Sequence, residues 1–260
     1  MLESAMEPAY THGDNTGMTA TDTQKNTVYY VAKGLARPTA PERFAELLAE
    51  HFIQEYPLVS KAKVTVEQKA WDRAELPAGP HDHGFVKRGD AVRFARVELG
   101  RGAAGDATVT SGVRGLTVCK TTQSGYEGYL QDRFTLLPPT RERLLATAMT
   151  CSWKYTAPPS CYNAAFRRVK GRLLETFFGP VKGGVYSPSV QYTLFMMGKD
   201  CIEQLGMVDS MYFRLPNIHF IPCSPVTSKF EDDVYLATSE PHGDIEATVS
   251  RDDVLPHAKL

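Results

Sequence analysis

Arg143, Gln191, Asn217 and His219 are polar side chains set in otherwise apolar patterns, where polarity costs free energy unless something pairs with it. Arg143 follows the turn LPPT and begins a strand-like stretch, so its forked donors could grip a planar anion at a sheet rim. Gln191 falls in the first turn of the helix opening at SPSVQYTLF, with Ser187 read as N-cap and Pro188 as the first helical residue. Free N–H groups and the positive end of the helix dipole suit an anion there. Asn217 and His219 follow Pro216, which interrupts the alternation of MYFRL. Taken singly, each residue also fits an ordinary role: a surface ion pair, a helix-start polar residue, a satisfied half-buried histidine. A further polar run, TATDTQKN, stands directly before TVYYVAK and needs partners elsewhere to acquire meaning.

Other chemistry is sparsely signalled. His81 and His83 in PHDHGF have H-x-H spacing, but no third ligand supports a metal, and turn-stabilising hydrogen bonds are the expected role. The glycines from Gly100 to Gly105 lack a strand-turn-helix context, and neither a Walker lysine nor a GxSxG elbow is present. The net charge of −1 provides no field for nucleic acid or an anionic membrane. No apolar run is long enough to span a bilayer, and the first residues lack the pattern of a signal peptide. Five cysteines, an odd number without a CxxC pair, suggest reduced thiols in an intracellular protein. Ala258-Lys259-Leu260 is a conservative variant of the SKL tripeptide read by a peroxisomal import receptor.

The elements that must position these residues follow from periodicity. Thr27 to Lys33 is rich in β-branched and aromatic residues and reads as a strand. RPTAPERFAELLAEHFIQEYP reads as a helix, with capping-box spacing at Thr39 and Glu42, Pro41 in the first turn, and Phe44, Leu47, Leu48, His51 and Phe52 on one face. Strands are expected at KVTVEQ and AVRFARVELG, separated by a turn-rich LPAGPHDHGF, then a linker at GRGAAGDATVTSG. GLTVCKTT and RLLATAMTCSWKY read as strands. Helices at CYNAAFRRVKGRLLETFF, stopped by Gly179, and after Ser187 precede two final strand patterns. The second half thus reads strand, strand, helix, helix, strand, strand, and the first half repeats the series without its opening pair. The fold class implied is α+β, with two units, 1–106 and 107–260, each packing helices on one face of an antiparallel sheet.

Together, TATDTQKNTVYYVAK, PHDHGF, GLTVCKTTQSGYEGYLQDRFTLLPPTRERLLAT, GVYSPSVQYTLFMMGK, LPNIHF and SEPHGDIEATVSR resemble urate oxidase (uricase), in family order across the chain. The resemblance implies tandem tunnelling-fold units in a homotetramer that oxidises urate with O2 to 5-hydroxyisourate and hydrogen peroxide, with no metal or organic cofactor. It implies that Arg143 and Gln191 grip the edge of the urate anion, assisted by the Val190 N–H. It further implies that Tyr126 stacks on the purine, that Asn217 holds oxygen or water above its plane, and that His219 and Thr21, with Asp22 beside it, belong to a proton relay. TATDTQKN would then be a site segment contributed to a neighbouring subunit.

The sequence departs from the family pattern at three points. Tyr126 replaces a usual phenylalanine, and Ile218 replaces a usual lysine between Asn217 and His219. The relay lysine of the family lies in a strand that would precede Leu2, and neither Lys25 nor Lys33 aligns with it. Two expectations follow: an active enzyme whose sequence here is incomplete, or a catalytically impaired purine-binding oligomer.

Overall fold

In a computed structural model, which describes residues 1–102, 107–223, 229–231 and 233–255, long antiparallel strands alternate with pairs of helices. Strand β1 (Leu2–Ser4) leads to α1 (Glu7–Thr11), α2 (Thr21–Lys33) and α3 (Pro41–Glu55). Strands β2 (Val59–Gln68), β3 (Trp71–Leu76), β4 (Gly79–Lys87), β5 (Val92–Gly100), β6 (Thr108–Lys120) and β7 (Leu145–Tyr155) follow. The chain continues through α4 (Tyr162–Phe178), α5 (Val190–Gln204), β8 (Val208–Pro222), β9 (Tyr235–Thr238), β10 (Asp244–Ser250) and α6 (Arg251–Val254). None of the helices described is long and apolar enough to cross a membrane.

One continuous sheet runs β1-β2-β5-β6-β7-β8-β10, with every pairing antiparallel and β9 added to the far end of β8. Its strands alternate inside and outside. In β8, Met211, Phe213 and Leu215 are buried while Tyr212 and Arg214 face out, so every second residue meets the helices. Phe52, Leu48 and Ala45 of α3 cover β2 and β5, with Ala62, Val97 and Leu99 beneath. Val169, Leu173 and Phe177 of α4 and Leu194, Met197 and Ile202 of α5 cover β6 to β10 over Met149, Trp153, Phe213 and Leu215. Gly179, at φ 74°, ends α4 where a side chain would be strained.

Several expectations are corrected by this packing. The strand read at Thr27 to Lys33 is the second half of α2. Local β propensity is a weak preference, and here Gln24, Thr27, Val28 and Val31 recur at helical spacing while Tyr29 and Tyr30 point to solvent. The capping box at Thr39 does not form: Ala40 is the N-cap. Glu42 is drawn inward instead, fully buried between Arg93 Nη2 at 2.7 Å and Ser111 Oγ at 2.6 Å. LPAGPHDHGF is not a connecting turn but the middle of the β3–β4 hairpin, which forms a separate two-stranded sheet. His81 and His83 therefore lie on a strand, their rings edge to face at 4.6 Å, with the His83 N–H donating to His81 Nδ1. Of the glycine-rich linker, Thr108 onward already belongs to β6, and residues 103–106 lie outside the described residues, as does the 1–106/107–260 boundary.

Candidate active site

The helix-facing row of each central strand changes character at one end. On β6, Leu116 and Val118 give way to Lys120; on β7, Met149 is followed in the same row by Thr147; on β8, Phe213 and Leu215 give way to Asn217 and His219. Thr147 stands opposite both Val118 and Asn217, and Leu145 stands opposite Lys120, so these residues share one face. Asn217 and His219 are two residues apart on β8, about 7 Å along the strand. Pro216 does not interrupt the alternation as the sequence suggests, because β8 runs through it and pairs it with Asp244 of β10.

The segment after β9 steadies this end. Asn217 N–H donates to Gly243 O at 2.9 Å, and the Asn217 amide nitrogen lies 3.3 Å from where a Cβ on Gly243 would sit. A side chain there would press on that amide, which would have to shift by a few tenths of an ångström. His219 Nε2 lies 3.0 Å from Pro241 O. A carbonyl only accepts, so Nε2 is the donor in this contact and Nδ1 is the other ring nitrogen.

Two loops close over the same end. Gly125 N–H donates to Ser187 O, Ser187 N–H to Gln123 O, and Arg143 N–H to Ser124 O, at 3.0, 2.9 and 2.9 Å. This small parallel bridge between Ser124 and Ser187 explains why Ser187 is not the helix cap. Its backbone is committed to Gln123 and Gly125, and the following Pro188 holds it extended. Ser189 takes the cap, its Oγ accepting the Tyr192 N–H at 3.1 Å, and α5 begins at Val190. Val190 and Gln191 remain in the first turn, with N–H groups outside the helical ladder. Gln191 opens onto a cleft of about 270 Å³ bounded by Leu194, Phe195, Ile245 and Glu246.

Arg143 lies two residues before β7, half-buried, with Nε 3.4 Å from Ser124 Oγ and its guanidinium carbon 5.3 Å from the centre of the Tyr126 ring. Burial pushes its pKa down from the ordinary arginine value. Tyr126 is held by a two-way bridge to Thr140 and stacks face to face with Tyr129 at 4.6 Å. One face of Tyr126 is thus taken by Tyr129.

Thr21 and Asp22 stand apart from this group. They occupy the first turn of α2, exposed, with the Asp22 carboxylate accepting from Lys25 Nζ at 2.8 Å and Asn26 Nδ2 at 2.9 Å. Helix α2 packs on α3 and borders a cleft with β1 and β2. Strand β2 is three positions from β7 in the sheet, roughly 15 Å away. Thus Arg143 and Tyr126 lie beside the Ser124–Ser187 bridge that leads to Val190, and Asn217 and His219 lie at the same end of the sheet; Gln191 is exposed and opens onto a cleft that none of these four lines, and Thr21 and Asp22 do not join them within one chain.

The sequence reading missed Lys120, Ser124 and Thr147, and gave Ser187 a capping role only. Lys120 had a signal: it terminates an alternating apolar row, and it is only 7% exposed. Thr147 had none, since a buried threonine in a strand is ordinary, yet its Oγ1 has no hydrogen-bond partner among the described residues.

The family model for uricase matches residues 4–98 and 109–246. The chain belongs to the uricase family. The uricase of Arabidopsis thaliana is 44% identical over 258 aligned positions, covering 94% of this chain and 82% of that protein. Uricase-2 isozyme 1 of Glycine max is 43% identical with the same coverage. Among solved structures, uricase from Arthrobacter globiformis superposes with a TM-score of 0.85 at 33% identity, over 96% of this chain and 83% of the other. Urate oxidase from Bacillus sp. TB-90 shares the fold at 20% identity and a TM-score of 0.81. As a uricase by family, the chain is an oxidoreductase of the urate oxidase class, and its curled antiparallel sheet with helices on one face is the α+β tunnelling fold that the sequence implies.

Proposed function

We propose that this chain oxidises urate with molecular oxygen and water to 5-hydroxyisourate and hydrogen peroxide, with no metal or organic cofactor. The observation that supports the reading is the polar end of the helix-facing rows, with Asn217 and His219 at the end of β8, Arg143 just before β7 and Gln191 in the first turn of α5. Arg143 and the Gln191 amide grip the edge of the urate anion, and the Val190 N–H completes the cradle at the positive end of the helix. Such fixed donors reject purines that lack matching acceptors. Tyr126 stacks on the ring face.

Triplet oxygen takes electrons readily only from an electron-rich urate dianion, so the protein must remove a proton and hold the resulting charge. His219 and the Thr21 hydroxyl carry that proton, and Asn217 orients oxygen or water above the ring. Thr21 and Asp22 reach the pocket from a neighbouring copy in a homotetramer; their exposure and their distance from Arg143 in one chain support that arrangement. The division into units 1–106 and 107–260 belongs to the same reading, with one apolar cluster over β6 to β10 and another around α3 that also takes in Val109 and Tyr162 of the second unit. Ala258-Lys259-Leu260, outside the described residues, is read as the peroxisomal import signal, which makes the peroxisome the site of action.

The test is simultaneous measurement of oxygen uptake and loss of urate ultraviolet absorbance with the full chain. Equimolar loss of both, with peroxide formed, is expected. Tight binding of a non-oxidisable purine analogue without turnover would instead leave a purine-binding oligomer. Arg143→Ala should weaken urate binding by about 100-fold or more, the usual cost of truncating a buried charge-assisted donor; unchanged binding would remove the clamp.

A further inference from the structure

Lys120 ends β6 as a buried cation with no acidic partner among the described residues. Its ammonium donates to Ser187 Oγ at 2.6 Å and Val185 O at 2.9 Å and lies 5.2 Å from the centre of the Phe177 ring. An ammonium has three donors, and the third has no acceptor among the described residues. Arg143 is alike in lacking an acid, with Ser124 Oγ and the Tyr126 ring as its side-chain neighbours. Ser124 and Ser187 stand opposite each other in the parallel bridge, whose backbone bonds run from Ser187 to Gln123 and Gly125, so Lys120 on Ser187 and Arg143 on Ser124 are linked through that bridge.

Elsewhere this protein solves the problem of a buried cation differently. Arg93, 10% exposed, is neutralised by the fully buried Glu42 at 2.7 Å. A buried charge left without its counter-charge is costly, and burial lowers the pKa of Lys120 to about 8 and that of Arg143 below its usual value. Two cations without an acidic partner among the described residues, Lys120 on Ser187 and Arg143 on Ser124, flank one small backbone bridge at the end of an apolar core, an arrangement that suits an anion.

We propose that Lys120 is the second cation of the urate site: it positions Arg143 and the start of α5 through the Ser187–Ser124 bridge, and its charge balances that of the bound urate anion. The proposal rests on Arg143 and Gln191 being the urate clamp.

Anaerobic calorimetry of urate binding to the full chain, alongside thermal melting, tests it. Lys120→Met and Lys120→Gln should each weaken urate binding at least about tenfold, while the melting temperature holds or rises because a desolvated charge is gone. A merely structural lysine gives the opposite pattern, a lowered melting temperature with unchanged affinity. Lys120→Gln retains a donor toward Ser187 and removes only the charge, so wild-type affinity in that variant overturns the proposal even if Lys120→Met fails to fold. Arg143→Ala, measured in parallel, separates the two levels. Urate binding that survives Arg143→Ala sinks the clamp itself, whereas loss there with retention in Lys120→Gln sinks only the role of Lys120.

Discussion

Two helices carry proposed site residues at the same two positions, the first and second of the helix, and the structure treats the first of them in opposite ways while leaving the second exposed in both. At α5, Ser189 caps the helix, Val190 is buried in the core, and the Ser124–Ser187 bridge fixes the approach. At α2, Ala20 offers no capping side chain, Thr21 and Asp22 are exposed, and the helix rests on α3. The first residue of α5 is therefore packed into the core while Gln191 is exposed, and both residues of the α2 start are presented outward, tied locally by the Asp22 contacts with Lys25 and Asn26 and by Gln24 Nε2 donating to Thr19 O. On the proposed reading, the packed start of α5 belongs to the binding half and the exposed start of α2 to the half that joins on assembly.

The contrast can be broken most forcefully from below. Phe213 is fully buried under α5, so Phe213→Ala should lower the unfolding free energy by about 3–5 kcal/mol in a denaturant titration. A loss no larger than that of a surface change would mean that α5 does not rest on a packed core. Thr21→Ala addresses the presented half: turnover should fall by about 100-fold, the lower range for loss of a proton-transfer group, with purine-analogue affinity nearly intact. Normal turnover would take Thr21 out of the relay, and lost affinity would place it in the binding half instead.

Lys120 sharpens the comparison through pH. Its pKa is about 8 in the fold against the ordinary 10.5, so between these values the unfolded chain binds more protons and stability at this group rises with pH. Relative to Lys120→Met, the wild-type melting temperature should climb between about pH 7 and about pH 10; a constant difference would show that the ammonium is not strained by burial. The smallest effect belongs to α2. Tyr29 is 65% exposed, and Tyr29→Ala should change stability by no more than about 0.5 kcal/mol.

Much of this was legible without coordinates because it is local. Helical spacing set α3 and α4, alternation set β2, β5, β7 and β8, and Pro41 and Gly179 marked a start and a stop that the structure keeps. Where the reading failed, a distant partner outweighed a local preference. Thr39 and Glu42 have the spacing of a capping box, yet Arg93 and Ser111 claim the Glu42 carboxylate. Ser187 precedes a proline in good N-cap style, yet Gln123 and Gly125 bind its backbone first. TVYYVAK favours a strand by composition, yet packing against α3 makes it helix.

What the sequence determined by itself was the family, the α+β class and the identities of the residues that could meet a purine anion, because those depend on residue type and order along the chain. What the tertiary structure alone decided was which of them share a place. Lys120, Ser187, Ser124 and Arg143 span 67 residues between the ends of their longest contact and carry no common motif. They become one electrostatic unit only when three antiparallel strands and a helix start bring them to the same end of a core, since hydrogen bonds and charge act over a few ångströms of space rather than along the chain.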